Sequence, residues 1–501
     1  MKLMGIDVGT TGVKVAVFDE CGIMLGYGFQ HYSVFLSKDN HVEQDAEVVW
    51  ERTKDAMACA VLASGGDISA ISLSVQGDAI IPIGSDHIAL CNCILGMDYR
   101  SEDQTRLCVQ LLGDRELYRI TGMRPHPMNS LTKVMWFRQN RPDLNDTVYK
   151  YTTYADFILL KLGVNEPVID LTMASRFMAL DSSNKRWSNR ILDTIAIDSE
   201  LLSRPCPSAQ IVGIIDKLLA SELGISQKAK IVSGGHDQTC AAFGAGIIGD
   251  EFTALDSHGT AEVVSTAFRT VKNSDAMYKG FFPCTLYVID GYYFTFALNH
   301  TGGILFQWLR DVICEKDIDR ANELGIDPYT YLIDKAPEEP SKVLVLPHFN
   351  GSGTPICDLE SKGAFIGLSL KTTREDLVKA VLDSLTYEMK QNICFLREVG
   401  IEINKLRCVG GAAKSDKWMQ IKADILGIEI ETLSIRESAC LGAAMLAGIA
   451  EGVFSSAQEA SSIVKVKRCF VPNEEKNYLY DKKYHTYSQL YGALRSINHD
   501  L

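Results

Sequence analysis

Residues 1–18 read MKLMGIDVGTTGVKVAVF. Leu3 to Ile6 is apolar, Asp7-Val8-Gly9-Thr10-Thr11-Gly12 is turn chemistry, and Val13 to Phe18 alternates again around Lys14. Two such runs on either side of a Gly/Thr turn predict strand, tight turn, strand. The turn also has chemical potential. Glycine lets the backbone close on a phosphate, and successive amides with threonine hydroxyls donate to its oxygens. Lys14 would add a positive charge, and Asp7 at the strand end would hold Mg²⁺ through water. A hairpin that needs Gly and Thr for its own geometry explains the same residues.

Half a chain length on, residues 252–265 read FTALDSHGTAEVVS, where an acid, a glycine and a threonine (Asp256, Gly259, Thr260) again lie between two apolar strands, against Asp7, Gly9 and Thr10. The echo predicts two related domains, 1–246 and 247–501; chance is the competing explanation for so short a match. Just upstream, residues 231–250 (IVSGGHDQTCAAFGAGIIGD) predict a strand, a glycine turn and a helix of small residues. Asp237 in that turn reads as a helix N-cap, or as a cleft carboxylate taking a proton from a substrate hydroxyl. A helix N-terminus is expected to lower its pKa. His236 reads as structural. The Gly244, Gly246, Gly249 triplet has dinucleotide spacing but follows a helix, where the fingerprint must leave a strand. There is no G-x-x-x-x-G-K-[ST] P-loop.

Elsewhere strands and helices alternate, which predicts an α/β architecture. A helix is expected over 43–63, then a strand from Ala70 to Val75 ending at Gln76-Gly77-Asp78. Arg374 to Val399 reads as a long helix capped by Thr372 or Thr373. Leu406 to Val409 reads as a strand running into Gly410-Gly411-Ala412-Ala413, with a helix from Ser415. The missing bulk there admits a flat ring or phosphate, or simply close packing. The small residues of Glu437 to Ala444 carry the same two readings, and Tyr480, Tyr484, Tyr487 and Tyr491 read as a packing stripe.

At 501 residues the chain is long enough for two or three domains. With 46% hydrophobic and 23% charged residues it is neither disordered nor fibrous. A net charge of −13 disfavours nucleic acid or an anionic membrane as partner. Fourteen cysteines without a C-x-x-C pair, no signal-peptide pattern and no long apolar run predict a reduced, cytoplasmic protein.

Taken in order, the DxGTT hairpin, the mid-chain GG-x-D turn, the second Gly-Thr hairpin and the late GGA-x-K-S turn resemble the FGGY carbohydrate kinases, the family of xylulokinase, gluconokinase and glycerol kinase. Further matching stretches are Met97-Asp98-Tyr99-Arg100, Thr301-Gly302-Gly303 and Gly363 to Leu368. The resemblance implies an actin-like fold, two RNase H-like domains flanking a central cleft, and an ATP-dependent sugar kinase. It implies ATP binding by Gly9, Thr10, Thr11 and Lys14 from one hairpin and Gly259 and Thr260 from the other. Gly302, Gly303, Gly410, Gly411, Ala412 and Ser415 would complete that site. Gln76, Asp78, Asp98 and Asp237 would hold the sugar, Asp237 would be the general base, and Asp7 would organise Mg²⁺. Read without the family, Asp78 also serves the Gly77 turn and Asp98 also pairs with Arg100.

The chain departs from its relatives at the sugar. Xylulokinases usually have Met-His-Gly after the glutamine and Trp-Asn-Asp later; here stand Gly77-Asp78-Ala79 and Gly96-Met97-Asp98. Glycerol kinases usually have Arg-Glu after the glutamine and an aromatic where Met128 falls. A ketopentose or polyol is the first expectation for the substrate, and a homodimer for the assembly. A non-catalytic sugar or nucleotide sensor, or another actin-like ATPase, are the alternatives.

Overall fold

The computed structural model describes residues 1–37, 39, 41–249, 252–272 and 274–501, and two mixed sheets organise them. The first contains β1 (Lys2–Val8), β2 (Gly12–Asp19), β3 (Met24–His31), β4 (Ile68–Val75), β5 (Ile211–Ile214) and β6 (Lys230–His236), in the order β5-β6-β4-β1-β2-β3. The second contains β7 (Thr253–His258), β8 (Glu262–Phe268), β9 (Thr285–Leu286), β10 (Tyr293–Asn299), β11 (Lys405–Gly410), β12 (Glu429–Leu433) and β13 (Val466–Phe470), in the order β9-β10-β8-β7-β11-β12-β13. The series β3-β2-β1-β4-β6 and β10-β8-β7-β11-β12 share one plan. Each has three antiparallel strands joined to two parallel ones. The sequence echo is therefore the visible part of a repeated sheet, with the Gly-Thr turns at matching corners. The boundary expected at 246/247 falls close to Asp250 and Glu251, which lie outside the described residues.

Helices form where caps and periodicity predict them. The helix α1 (Ala46–Ser64) opens on Asp45, whose side chain accepts from the amides of Glu47 and Val48, and closes on Gly65 at φ 75°. Next come α2 (Leu171–Arg176), α3 (Asp237–Gly244), α4 (Gly303–Val312) and α5 (Pro328–Lys335). The long helix α6 (Arg374–Glu398) starts at Thr373 with a capping box to Asp376. After it come α7 (Asp416–Leu426) and α8 (Ser438–Glu451). The tyrosine stripe packs: Tyr480 and Tyr487 are buried, their hydroxyls bonded to Lys379 and Glu388 of α6.

The small residues of α8 serve close packing. A Cβ on Gly442 would lie 2.0 Å from the Cys240 carbonyl oxygen of α3, and one on Gly244 1.8 Å from that of Ser438. On the sheet side, a Cβ on Gly5 would lie 1.8 Å from the Cys440 carbonyl oxygen. A late segment of the chain is thereby locked onto the first sheet. The core that results gathers Leu3 and Phe18 of the first sheet, Phe243 of α3, Leu255 and Phe294 of the second sheet, and Leu441 of α8. Replacing Gly442 by Val forces backbone apart and is expected to cost about 3 kcal/mol, read as a lower urea midpoint. An unchanged midpoint would refute the packing account.

Candidate active site

The first hairpin turn is held from behind. The Gly9 amide donates to Gly12 O at 3.0 Å, while Gly9 O accepts from the Tyr32 hydroxyl at 2.6 Å and from Gln76 Nε2 at 3.1 Å. The Thr10 hydroxyl donates to Gln76 Oε1 at 3.1 Å, and Gln44 Nε2 donates to Thr10 O. Gln76 is buried, and its amide also donates to Gln44 Oε1. Gln76 was expected at the sugar; here both ends of its amide brace the turn. Lys14 was expected at the phosphates. Its ammonium lies 2.8 Å from Glu437, the residue before α8, so its charge is already compensated. Thr11 keeps an exposed side chain at the tip.

Asp7 stands opposite Lys14 in the hairpin register and accepts from the Ser74 hydroxyl at 2.7 Å. Burial holds its carboxyl above the usual carboxylate range. Asp237 leaves the end of β6 as the first residue of α3; the N-cap position belongs to His236. One Asp237 oxygen accepts from the Gln238 amide at 2.6 Å and lies 3.1 Å from His236 Nε2. Its pKa is raised to about 7, by burial first and by the Asp7 carboxylate second. The sequence reading had the opposite sign. A helix N-terminus contributes at most a kcal/mol or so, and removal from water beside a second carboxylate outweighs it. Burial, with the Arg176 guanidinium, keeps His236 neutral.

Beside these groups lies an ion pair that sequence reading missed. Arg176 Nη2 donates to Asp78 Oδ2 at 2.6 Å, with both side chains buried. The pair is monodentate, and it leaves Arg176 Nε and Asp78 Oδ1 buried with no hydrogen-bond partner among the described residues. Gly77 makes the approach feasible: a Cβ there would lie 2.9 Å from His236 Nε2 and 3.3 Å from Arg176 Nε. A lone arginine ending a short helix gives no sequence signal of this kind. Asp98 pairs with Arg100, one of its two expected readings. It is fully buried; Oδ1 accepts from Arg100 N and Nε, and Oδ2 from Val42 N and Arg100 Nη2. Both oxygens are engaged, and Asp98 holds a loop.

On the second sheet a cavity of about 650 Å³ gathers six of the expected ATP residues: Gly259, Thr260, Gly303, Gly411, Ala412 and Ser415. Ile304, Phe306, Tyr329, Ile333 and Trp418 supply an apolar wall that no motif announced. Gly303 also donates to Gly259 O at 2.9 Å, and Gly302 to Thr260 O at 2.9 Å, which seats the start of α4 on the hairpin turn. Gly302 and Gly410 serve close backbone approach rather than the cavity wall. A Cβ would lie 2.7 Å from the Ala261 carbonyl carbon at Gly302 and 2.2 Å from His258 O at Gly410. Ser415 does both jobs, lining the cavity and capping α7 by accepting from the Trp418 amide. Gly9, Thr10, Thr11 and Lys14 stand on the other hairpin, outside this wall.

Beneath the second turn, Asp256, His258 and Glu262 are spaced like metal ligands. The cation they meet is internal: buried Lys422 Nζ lies 2.5 Å from Asp256 and 2.7 Å from Glu262. Lys422 belongs to α7, so the cluster ties that helix to the turn. Such a pair has value only while complete, because removing one partner strands the other charge in low dielectric. Lys422→Met is expected to cost about 3–5 kcal/mol of stability, measured as a urea midpoint. A midpoint within error of the parent would refute it.

Comparison with known proteins gives the arrangement its family. Residues 2–244 match the N-terminal domain of the FGGY family of carbohydrate kinases, and residues 257–451 match the C-terminal domain. A xylulose kinase of Staphylococcus epidermidis is 27% identical over 507 residues, covering 100% of this chain and 98% of that protein. A gluconokinase of Bacillus subtilis is 27% identical over 467 residues, covering 92% and 90%. Among solved structures, a xylulose kinase from Rhodospirillum rubrum superposes with a TM-score of 0.90 at 20% identity, covering 100% of both chains. A gluconate kinase from Lactobacillus acidophilus gives 0.87 at 23% identity, covering 98% of both. The repeated sheets are those of the actin-like ATPase fold, and the chain belongs to the FGGY family of carbohydrate kinases.

Proposed function

We propose that the protein transfers the γ-phosphoryl group of ATP to a hydroxyl of a neutral sugar or polyol, a ketopentose first, with Asp237 as general base. The carrying observation is the state of Asp237. A carboxylate with a pKa of about 7 is a useful base at neutral pH. The acceptor hydroxyl gives its proton to Asp237 as its oxygen bonds to phosphorus and the ADP oxygen leaves. Positioning and electrostatics supply most of the remaining catalysis. A non-catalytic sensor would have no use for such a base.

The cavity beside Thr260 receives the nucleoside, and the Gly9 to Thr11 turn meets the phosphates from the opposite hairpin. Asp7 fits a Mg²⁺ ion: it offers hard oxygen ligands, one oxygen is already oriented by Ser74, and its burial near a second carboxylate favours a compensating cation. Bound there through water, the ion would offset the charge of the triphosphate. We assign the two working units to 1–246 and 247–501 and the assembly to a homodimer. We place the enzyme in the cytoplasm, in keeping with fourteen free cysteines. No helix among the described residues is long and apolar enough to cross a membrane.

Arg176 and Asp78 support a neutral substrate. A hydroxyl both donates and accepts, as Asp78 Oδ1 and Arg176 Nε, unpartnered among the described residues, together require. A sugar carboxylate would instead meet the Asp237 and Asp78 carboxylates, and the Arg176 guanidinium is already paired with Asp78. The similar xylulose kinases in this family point the same way.

Two experiments test the proposal. ADP release should rise with a ketopentose more than with an aldonate, and Asp237→Asn should lower kcat by about 10²- to 10⁴-fold with the melting midpoint unchanged. Turnover that survives the substitution, or that no ketopentose, polyol, aldonate or hexose stimulates, would overturn the reading. Arg176→Met is expected to raise the sugar KM at least about tenfold, the loss of one charged hydrogen bond, with little change in the ATP KM. An equal rise in both would show that Arg176 acts only on the fold.

A further inference from the structure

The parallel strands β7, β11 and β12 of the second sheet end side by side, with His258 opposite Gly410 and Cys408 opposite Thr432. The 650 Å³ cavity opens where β7 and β11 end. A second cavity, of about 750 Å³, opens where β11 and β12 end. Gly411, Thr432 and Ser434 line it together with three cations, Lys414, Arg436 and Lys467. Crevices at the carboxyl ends of parallel strands are where open α/β sheets take their ligands. A Cβ on Gly411 would meet nothing within 4 Å, so the backbone there fronts open space.

The charges in this cavity lack counter-charges. All three cations are exposed, and among the described residues none of their side chains has an ion pair, hydrogen bond or ring contact. The acids that flank the cavity along the chain are held by other cations: Glu437 by Lys14, Glu431 by Lys405 and Arg407, and Asp416 by Arg468. On a chain with a net charge of −13, three uncompensated cations around one cavity make a local positive field that an anion would satisfy.

We propose that this cavity is a second ligand site and that it takes a phosphate monoester. Such a group carries nearly two negative charges at pH 7 and three acceptor oxygens. A guanidinium grips two of those oxygens, and ammonium groups add point charges. A carboxylate brings one charge and leaves two of the cations unmatched. A volume of about 750 Å³ is that of a small-molecule site rather than of a bare ion, and Thr432 and Ser434 offer hydroxyls to the organic part. Arg436 and Lys467 line this cavity and not its neighbour, whereas Gly411 and Lys414 line both. An ester held by Arg436 is thus a ligand separate from the nucleoside of the neighbouring cavity.

Calorimetric titration of the full-length protein with glycerol 3-phosphate, ribose 5-phosphate and inorganic phosphate tests it. At least one ester is expected to bind more tightly than inorganic phosphate. Arg436→Gln is expected to weaken that ester at least about tenfold, the loss of a charge-assisted hydrogen bond. Adding Lys467→Gln should weaken it further, with the melting midpoint unchanged. Arg176→Met, at the sugar pocket, should leave the ester affinity as it was, and the double variant should bind ADP and adenosine as wild type does. An ester affinity untouched by the two substitutions, or lost in Arg176→Met, would put the ester at the acceptor pocket and overturn the proposal. ADP weakened in the double variant with adenosine unchanged would assign the cations to the nucleotide's own phosphates and overturn a separate site. Inorganic phosphate binding as tightly as either ester overturns the ester assignment. Binding of none of the three at millimolar concentration overturns the site altogether.

Discussion

Backbone contact between α3, α8 and β1 is the constraint on which the rest of the architecture depends. Three glycines, Gly5, Gly244 and Gly442, stand where any Cβ would overlap a carbonyl oxygen of the facing element. Because α8 comes from late in the chain and β1 from its start, this contact sets how the two repeated sheets meet. Asp237 begins α3 and Glu437 precedes α8, so the same contact fixes a carboxylate of the site and the partner of Lys14. Packing and chemistry here share one scaffold, and a methyl group's displacement would reach both.

Charge is placed with comparable economy. Asp98 with Arg100 and Asp78 with Arg176 are buried ion pairs, and Asp256 and Glu262 share the buried ammonium of Lys422. Asp7 and Asp237 differ. Burial is the main cause of the raised proton affinity of each, and the Asp7 carboxylate adds to it at Asp237. A compensated pair holds structure, and at the second hairpin Lys422 supplies the cation.

Much of the fold was legible. Strand, turn and strand around Gly9, the helix capped by Thr373 and the strand before Gly410 are local features, fixed by alternation, capping and glycine chemistry that neighbours in sequence supply. The echo between the two turns was legible too, although its acids were not equivalent. Asp7 precedes Gly9 by two residues and Asp256 precedes Gly259 by three. With side chains alternating between faces, that one-residue difference sends Asp256 into the core and leaves Asp7 beside Asp237.

The sequence by itself determined the elements, their repetition and the family, because periodicity, caps and ordered motifs are written along the chain. Tertiary structure alone decided which polar residues are free to act. Gln76, Lys14 and Asp98 carry suitable groups, and in the folded chain they also engage Thr10, Glu437 and Arg100. Arg176, His258 and Trp418 announce nothing locally, yet each ends with an atom that has no partner among the described residues. Hydrogen-bond capacity is a property of a residue type, but whether it is already spent depends on partners distant in sequence. Only the folded chain brings those partners within reach.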